Sequence, residues 1–258
     1  FMNFSILPIL YLIQIGIIYR VVRKTQNLAL ISAEQSNLVN LLLMMLTIWG
    51  GVSTYLGLSG YYQSGAFLSS LPGFWVTQVA VLLVMFPWMV SKNLRQGIDT
   101  IIDQTPLHLI MGFEGLRSLA LGGIYKGYIG EFSLFFAKFV GIPDFLYGIT
   151  TLVAAFLIYR GVWQEKSAII INLIGFIIIV PFGMVLINIG LPGAMYMIEE
   201  SPGLTTIFEF PMVLAPTLVV PIFVMVNLFV ALRLISRIRE RKAPPMPRDS
   251  VRVRSLLH

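Results

Sequence analysis

The sequence predicts an all-α, polytopic integral membrane protein of about seven transmembrane helices. Three observations carry that expectation: an apolar composition, a series of long apolar runs, and a one-sided distribution of positive charge. Of the 258 residues, 57% are hydrophobic and 12% are charged, about half the charge of an ordinary soluble domain. Lipid can solvate so much apolar surface, and a spanning helix needs about 20 mostly apolar residues.

The runs follow in order. Span 1 is expected over Phe4 to Val22; it lacks a basic leader region and is followed by Arg20, Arg23 and Lys24, so it reads as a retained first span. A polar stretch to Asn37 leads to span 2, Leu38 to Leu58, and the uncharged loop Ser59 to Gly73 leads to span 3, Phe74 to Val90. Residues 91–105 read as a turn back to span 4, Pro106 to Ile129, which opens on a proline suited to a first helical turn. Gly130 to Ile142 is too short to span and aromatic-rich, and reads as a short interfacial or re-entrant helix on the outer face. Span 5 is Pro143 to Tyr159, span 6 Ser167 to Ile189 and span 7 Ile207 to Ile235. The composition changes at Ala243, so residues 1–242 form one transmembrane domain and 243–258 a basic, proline-containing cytoplasmic tail.

Charge sets the orientation. With the N-terminus outside, the inner side collects Arg20, Arg23, Lys24, Lys92, Arg95, Arg160 and Lys166. The end of the chain adds Arg233, Arg237, Arg239, Arg241, Lys242, Arg248, Arg252 and Arg254. Lys126 and Lys138 face outward, and Arg117 lies inside span 4. Cytoplasmic flanks are enriched in Lys and Arg, so the expectation is N-out and C-in. The formal net charge of +6 therefore points to anionic lipid headgroups, above all at the tail, and not to nucleic acid.

Several chemistries are excluded or unsupported. Without cysteine there is no disulfide, no thiolate nucleophile and no Cys-ligated metal. Only His108 and His258 are present, so one chain cannot hold a haem between two intramembrane histidines. The acidic outer residues Glu199, Glu200 and Glu209 match no metal-binding spacing and read as a solvated loop. Gly57-Leu58-Ser59-Gly60 resembles the Gly-x-Ser-Gly of rhomboid-type intramembrane proteases. The needed base could only be His108, which the topology puts near the opposite face. No cofactor is expected.

Polar groups within the spans are the candidate site, because an ionisable side chain in a bilayer is expensive. Glu114 and Arg117 are three apart in span 4 and can pair, with Ser118 beside them and a stripe continuing through Leu121, Tyr125 and Tyr128. Gly112, Gly115 and Gly122 share another face with His108, where a neighbouring helix can approach. Asp144 is expected at the outer mouth, where it also suits the N-terminus of span 5. Span 7 carries Pro211, Pro216 and Pro221, which should kink it and free carbonyls for Thr217, other polar groups or water to answer. Asn227 could line the same cavity.

Arg117, Gly141-Ile142-Pro143-Asp144, Pro216 and Pro221 together resemble a family of uncharacterised bacterial multi-pass membrane proteins, over about Glu114 to Leu234. Relatives often carry a histidine after the second proline of the last helix, where Asn227 stands here. The resemblance implies a helical fold in the bacterial inner (cytoplasmic) membrane and no particular activity.

The expectation for function is a non-enzymatic protein that binds or carries a small polar or anionic ligand, or a lipid, in a pocket between spans 4, 5 and 7. Arg117, Glu114, Ser118, Tyr125, Asp144, Thr217 and Asn227 are the candidate ligand-binding residues. The alternatives are an accessory subunit of a larger membrane complex, with a protein partner or a second copy, and an intramembrane serine hydrolase using Ser59 and His108.

Overall fold

In the computed structural model, which describes residues 5–242, the chain is all-helical, with no strand among those residues. Eight helical runs make up the bundle: α1 (Leu7–Asn27), α2 (Ala33–Leu58), α3 (Pro72–Val90), α4 (Lys92–Gln104), α5 (residues 107–128), α6 (Leu134–Tyr159), α7 (Glu165–Gly190) and α8 (Ala215–Lys242). Five of them, α2, α3, α6, α7 and α8, are long and apolar enough to cross a membrane. The other two expected spans fall outside that group. α1 ends on Arg20, Arg23 and Lys24, and α5 carries Glu114, Arg117 and Lys126. The expected basic tail at 243–258 lies outside the described residues.

α8 is the central helix. Of its apolar window 67% is buried, against 22% to 28% for the other four long helices. Leu218, Ile222, Phe223, Phe229, Val230 and Leu234 make its core surface, met by Leu10, Leu42, Val84, Met111 and Ile171 from the surrounding helices. The outward faces of those helices stay apolar, with Leu12, Ile48, Leu82, Phe86, Phe156 and Phe182 all more than half exposed. Water would not tolerate such a belt, and hydrocarbon would.

Three π turns carry the long helices past their prolines. In α6 the Ile142 N–H bonds the Ala137 carbonyl, so the helix runs straight on into Pro143. In α7 a π turn over Ile178–Gly183 contains Pro181. In α8 the turn Ala215–Val219 precedes Pro221. A π turn changes which carbonyls are left over, and so accommodates a residue that has no N–H to give.

That device corrects three sequence expectations. Residues 130–142 are not a separate outer helix, because 134–141 form the first turns of α6. Asp144 consequently stands about ten residues inside α6 and not at a helix N-terminus. α8 begins near Ala215, so Pro211 lies in the preceding turn, Pro216 in the first helical turn, and only Pro221 well inside the helix.

A further correction lies between α3 and α5. Residues 91–105, expected as a turn, contain the amphipathic helix α4. Ser91 accepts the Leu94 N–H at 3.2 Å as its N-cap, and Leu94, Gly97 and Ile102 face the bundle. Acidic residues at the start and end of neighbouring helices then bind the arginines of α8. Asp103 takes Arg233 with contacts of 2.5 to 3.0 Å, and Glu165 takes Arg237 at 3.0 Å and Arg241 at 2.9 Å. Burial pushes the nearby Asp99 carboxyl above the usual carboxylate range. At the opposite end Tyr62, Phe67, Leu191, Leu204, Ile207 and Phe208 form a second core that caps the bundle.

Candidate functional site

α5 is broken in its middle, and the break builds the site. Residues Gly115–Ala120 form a 3₁₀ segment between two α-helical stretches. Side chains three apart eclipse in a 3₁₀ turn, which puts Arg117 directly above Glu114. Six residues at 120° each in place of 100° rotate the rest of α5 by about 120°. Leu121, Tyr125 and Tyr128 are all more than half exposed, and Leu121 and Tyr125 border the same open space as Arg117.

The 3₁₀ segment sits against α6 with almost no space between the backbones. A Cβ at Gly148 would run into the main chain of Arg117 and Ser118, and one at Gly115 would run into the Leu152 side chain. Gly148 is one turn beyond Asp144, so that contact brings Arg117 to Asp144. The Arg117 Nε donates to Asp144 Oδ1 at 2.6 Å, and its terminal nitrogen lies 2.5 Å from the same oxygen. The guanidinium also donates to the Gly175 carbonyl of α7 at 3.3 Å, lies 3.8 Å from Glu114, and stacks 4.1 Å above the Tyr147 ring.

Tyr147 and Asn227 close the network. The Tyr147 hydroxyl donates to Asn227 Oδ1 at 2.7 Å, and Asn227 Nδ2 donates to Glu114 Oε2 at 3.1 Å. Five polar side chains from α5, α6 and α8 thus share one buried cluster. Glu114 and Asn227 are fully enclosed, Arg117 and Tyr147 nearly so, and only the Asp144 side chain, at 14% exposure, reaches open space. Glu114 Oε1 has no hydrogen-bond partner. Two carboxyl groups therefore face one guanidinium.

The open space beside Asp144 is a cavity of about 1120 Å³. Its wall is mostly aliphatic and aromatic, with Leu10, Met85, Phe136, Phe176, Val220 and Phe223 among its residues. Arg117, Ser118 and Asp144 line it, and further along α5 so do Tyr125, Lys126 and, past the helix end, Glu131. Ligand pockets are commonly of this character, apolar with a few placed polar groups, and of 300–1,000 Å³.

No protein-family model, curated protein or solved structure matches the chain. What can be said of the site rests on its own geometry.

The expected site residues divide into three groups. Arg117, Glu114, Asp144 and Asn227 are joined by direct contacts, with helices 5, 6 and 8 (the expected spans 4, 5 and 7) as their source. Ser118 and Tyr125 line the cavity outside the hydrogen-bonded cluster. Thr217 is buried and serves its own helix, with its hydroxyl donating to the Val213 carbonyl at 2.7 Å. Its carbonyl, freed by Pro221, accepts the Trp49 indole N–H at 2.9 Å. Gln14 also donates to the Val219 carbonyl, at 3.1 Å, and the Ala215 N–H takes the Met212 carbonyl that Pro216 cannot reach. The prolines of α8 are thus satisfied by protein groups.

Tyr147 and Gly175 were missed by the sequence reading. Tyr147 had a signal, since it follows Asp144 by three residues and so shares its face on a helix. Gly175 contributes only a carbonyl and has none. Among the described residues no three acidic or histidine side chains lie together as a metal site. Glu200, expected in a solvated loop, instead holds the start of α6: it accepts the Ser133 hydroxyl and, at 3.1 Å, the Phe135 N–H. Ser59 donates to the Leu56 carbonyl, and His108 packs against Tyr159.

Proposed function

We propose that the chain is a seven-span protein of the bacterial inner membrane, N-out and C-in, that binds or carries a lipid-like ligand in the central cavity. The coincidence that carries this reading is a large apolar cavity whose wall is interrupted by the Arg117–Asp144 pair. A cavity meant only to be filled by side chains would not place a charged pair on its wall, since burying charge costs several kcal/mol per ion unless it is well paired. An apolar wall with one charged spot matches a molecule with a chain and a head.

The seven-span arrangement rests on charge. In that topology α1 and α5 cross along with the five long apolar helices, and the Arg233–Asp103 and Arg241–Glu165 pairs lie together on the cytoplasmic side. The polar character of α5 is then compensated within the protein, as intramembrane charge must be.

The test is saturable binding of a pyrene-labelled long-chain alcohol to the purified protein in a maltoside detergent. Gly123 lines the cavity, and a Cβ there would meet no atom within 4 Å. Gly123→Phe should therefore fill the cavity without straining the fold, weakening the probe at least tenfold while leaving the melting temperature close to wild type. Non-saturable partitioning, or equal binding by the variant, would remove the cavity as a ligand site.

A further inference from the structure

We infer that the cavity selects a long-chain amphiphile with a primary ammonium head, bound at Asp144, and not an anionic one bound at Arg117. This deepens the proposed function and rests on the cavity being a ligand site.

An intramembrane arginine suggests an anion, but the geometry around Arg117 points the other way. Its side chain is 1% exposed. Each of its three nitrogens has a hydrogen-bond partner in Asp144 Oδ1 or the Gly175 carbonyl, Asp144 answers its charge, and the Tyr147 ring covers its face. An incoming phosphate or carboxylate would have to displace Asp144 and would gain a guanidinium that is already neutralised. It would also meet two carboxyl groups within reach of that guanidinium.

Asp144 is different. Both arginine contacts fall on Oδ1, and no donor among the described residues reaches Oδ2. It is the one member of the cluster with exposed side-chain surface, and that surface faces the cavity. Oδ2 is therefore an unsatisfied acceptor on the wall of a mostly apolar cavity. A primary ammonium can donate to it, with the short geometry of a charge-assisted hydrogen bond. The other charges on the wall, Lys126 and Glu131, are one of each sign and lie further on. Lys126 is nine residues from Arg117, about 15 Å along the helix axis, and does not bias the choice at Asp144.

The chain length of the ligand follows from the wall. Leu10, Met85, Phe176 and Phe223 offer no hydrogen bond, so a small soluble amine would leave them without contacts, whereas an alkyl chain of ten or more carbons gains about 0.8 kcal/mol for each CH₂ it buries.

The experiment is competition against the pyrene-labelled alcohol, using dodecylamine, dodecyl phosphate, dodecanol and ethanolamine with the wild-type protein. Dodecylamine should displace the probe at least tenfold more effectively than dodecanol or dodecyl phosphate, and ethanolamine should not displace it. In Asp144→Asn the ratio of dodecylamine to dodecanol displacement should fall to about one. Equal displacement by all three long-chain compounds, or preference for the phosphate, would overturn the ammonium assignment and leave the cavity reading standing. Ethanolamine matching dodecylamine would overturn the long-chain part. Failure of the probe itself to bind the wild type would remove both. The wild-type panel decides the matter even if Asp144→Asn does not fold.

Discussion

Arg117 is the residue on which the interior depends. Removing one partner of a buried ion pair strands the other and costs about 3–5 kcal/mol. Arg117→Ala strands two carboxyl groups, Asp144 and Glu114, so it should lower stability by at least that much in a reversible unfolding assay, and a loss under about 1 kcal/mol would mean the cluster is wetter than described. Tyr147→Phe is a milder cut. It removes the donor to Asn227 Oδ1 and should cost about 1–3 kcal/mol, the usual cost of leaving a buried acceptor unmade. Loss of the same amount in a Tyr147→Phe, Asn227→Leu double variant as in either single one would indicate that the two act as a unit.

The individual site residues were partly legible. Glu114 and Arg117 announce themselves because charge in an apolar run is rare, and Asn227 because it interrupts the apolar surface of the last helix. The rotation of Leu121, Tyr125 and Tyr128 was not legible, because no residue in Gly-Leu-Arg-Ser-Leu-Ala forces the 3₁₀ form. The tightening comes from α6, whose Gly148 lets the two backbones touch. That information is tertiary and could not be read from the α5 sequence alone.

At the scale of the helices, the prolines and their substitutes make a closed set. Pro221 frees the Thr217 carbonyl, and Trp49 answers it. Trp49→Phe should therefore cost about 1–3 kcal/mol. In a Pro221→Ala background, where residue 221 again has an N–H to give, the same change should cost clearly less. Equal costs in the two backgrounds would show that the indole contributes by packing alone. Gly148→Leu tests the contact between α5 and α6: with a side chain against the Ser118 backbone, the 3₁₀ segment must move away, Arg117 leaves Asp144, and probe binding should fall at least tenfold.

The helices that the sequence made hard to place are those where one signal outweighed another. α4 was obscured by its polar composition, although Leu94, Ile98, Ile101 and Ile102 repeat at helical spacing after the capping Ser91. The start of α6 was obscured by Gly141-Pro143, which ordinarily ends or begins a helix. A π turn let the helix pass. α2 begins five residues before Leu38 because Ser32 and Gln35 form a capping box with bonds of 3.1 and 2.9 Å. That pattern is visible in the sequence, but it lies outside the apolar run by which the span was recognised.

For the molecule as a whole, the all-helical bundle and its five long apolar helices follow from composition and run length. The proposed crossing of α5 is the step on which the rest depends, because it would place the Arg117 cluster inside the bilayer and the two ends of α5 on opposite faces. The absence of cysteine makes this directly measurable. Ala66 lies in the connection between α2 and α3, and Gln164 in the connection between α6 and α7; both are exposed. Three helices, α3, α5 and α6, cross between them if α5 spans the membrane. Single variants Ala66→Cys and Gln164→Cys in intact cells should then react from opposite sides with a membrane-impermeant maleimide: Ala66→Cys without permeabilisation, Gln164→Cys only after it. Labelling of both positions from the same side would mean that α5 does not cross, and would contradict the account.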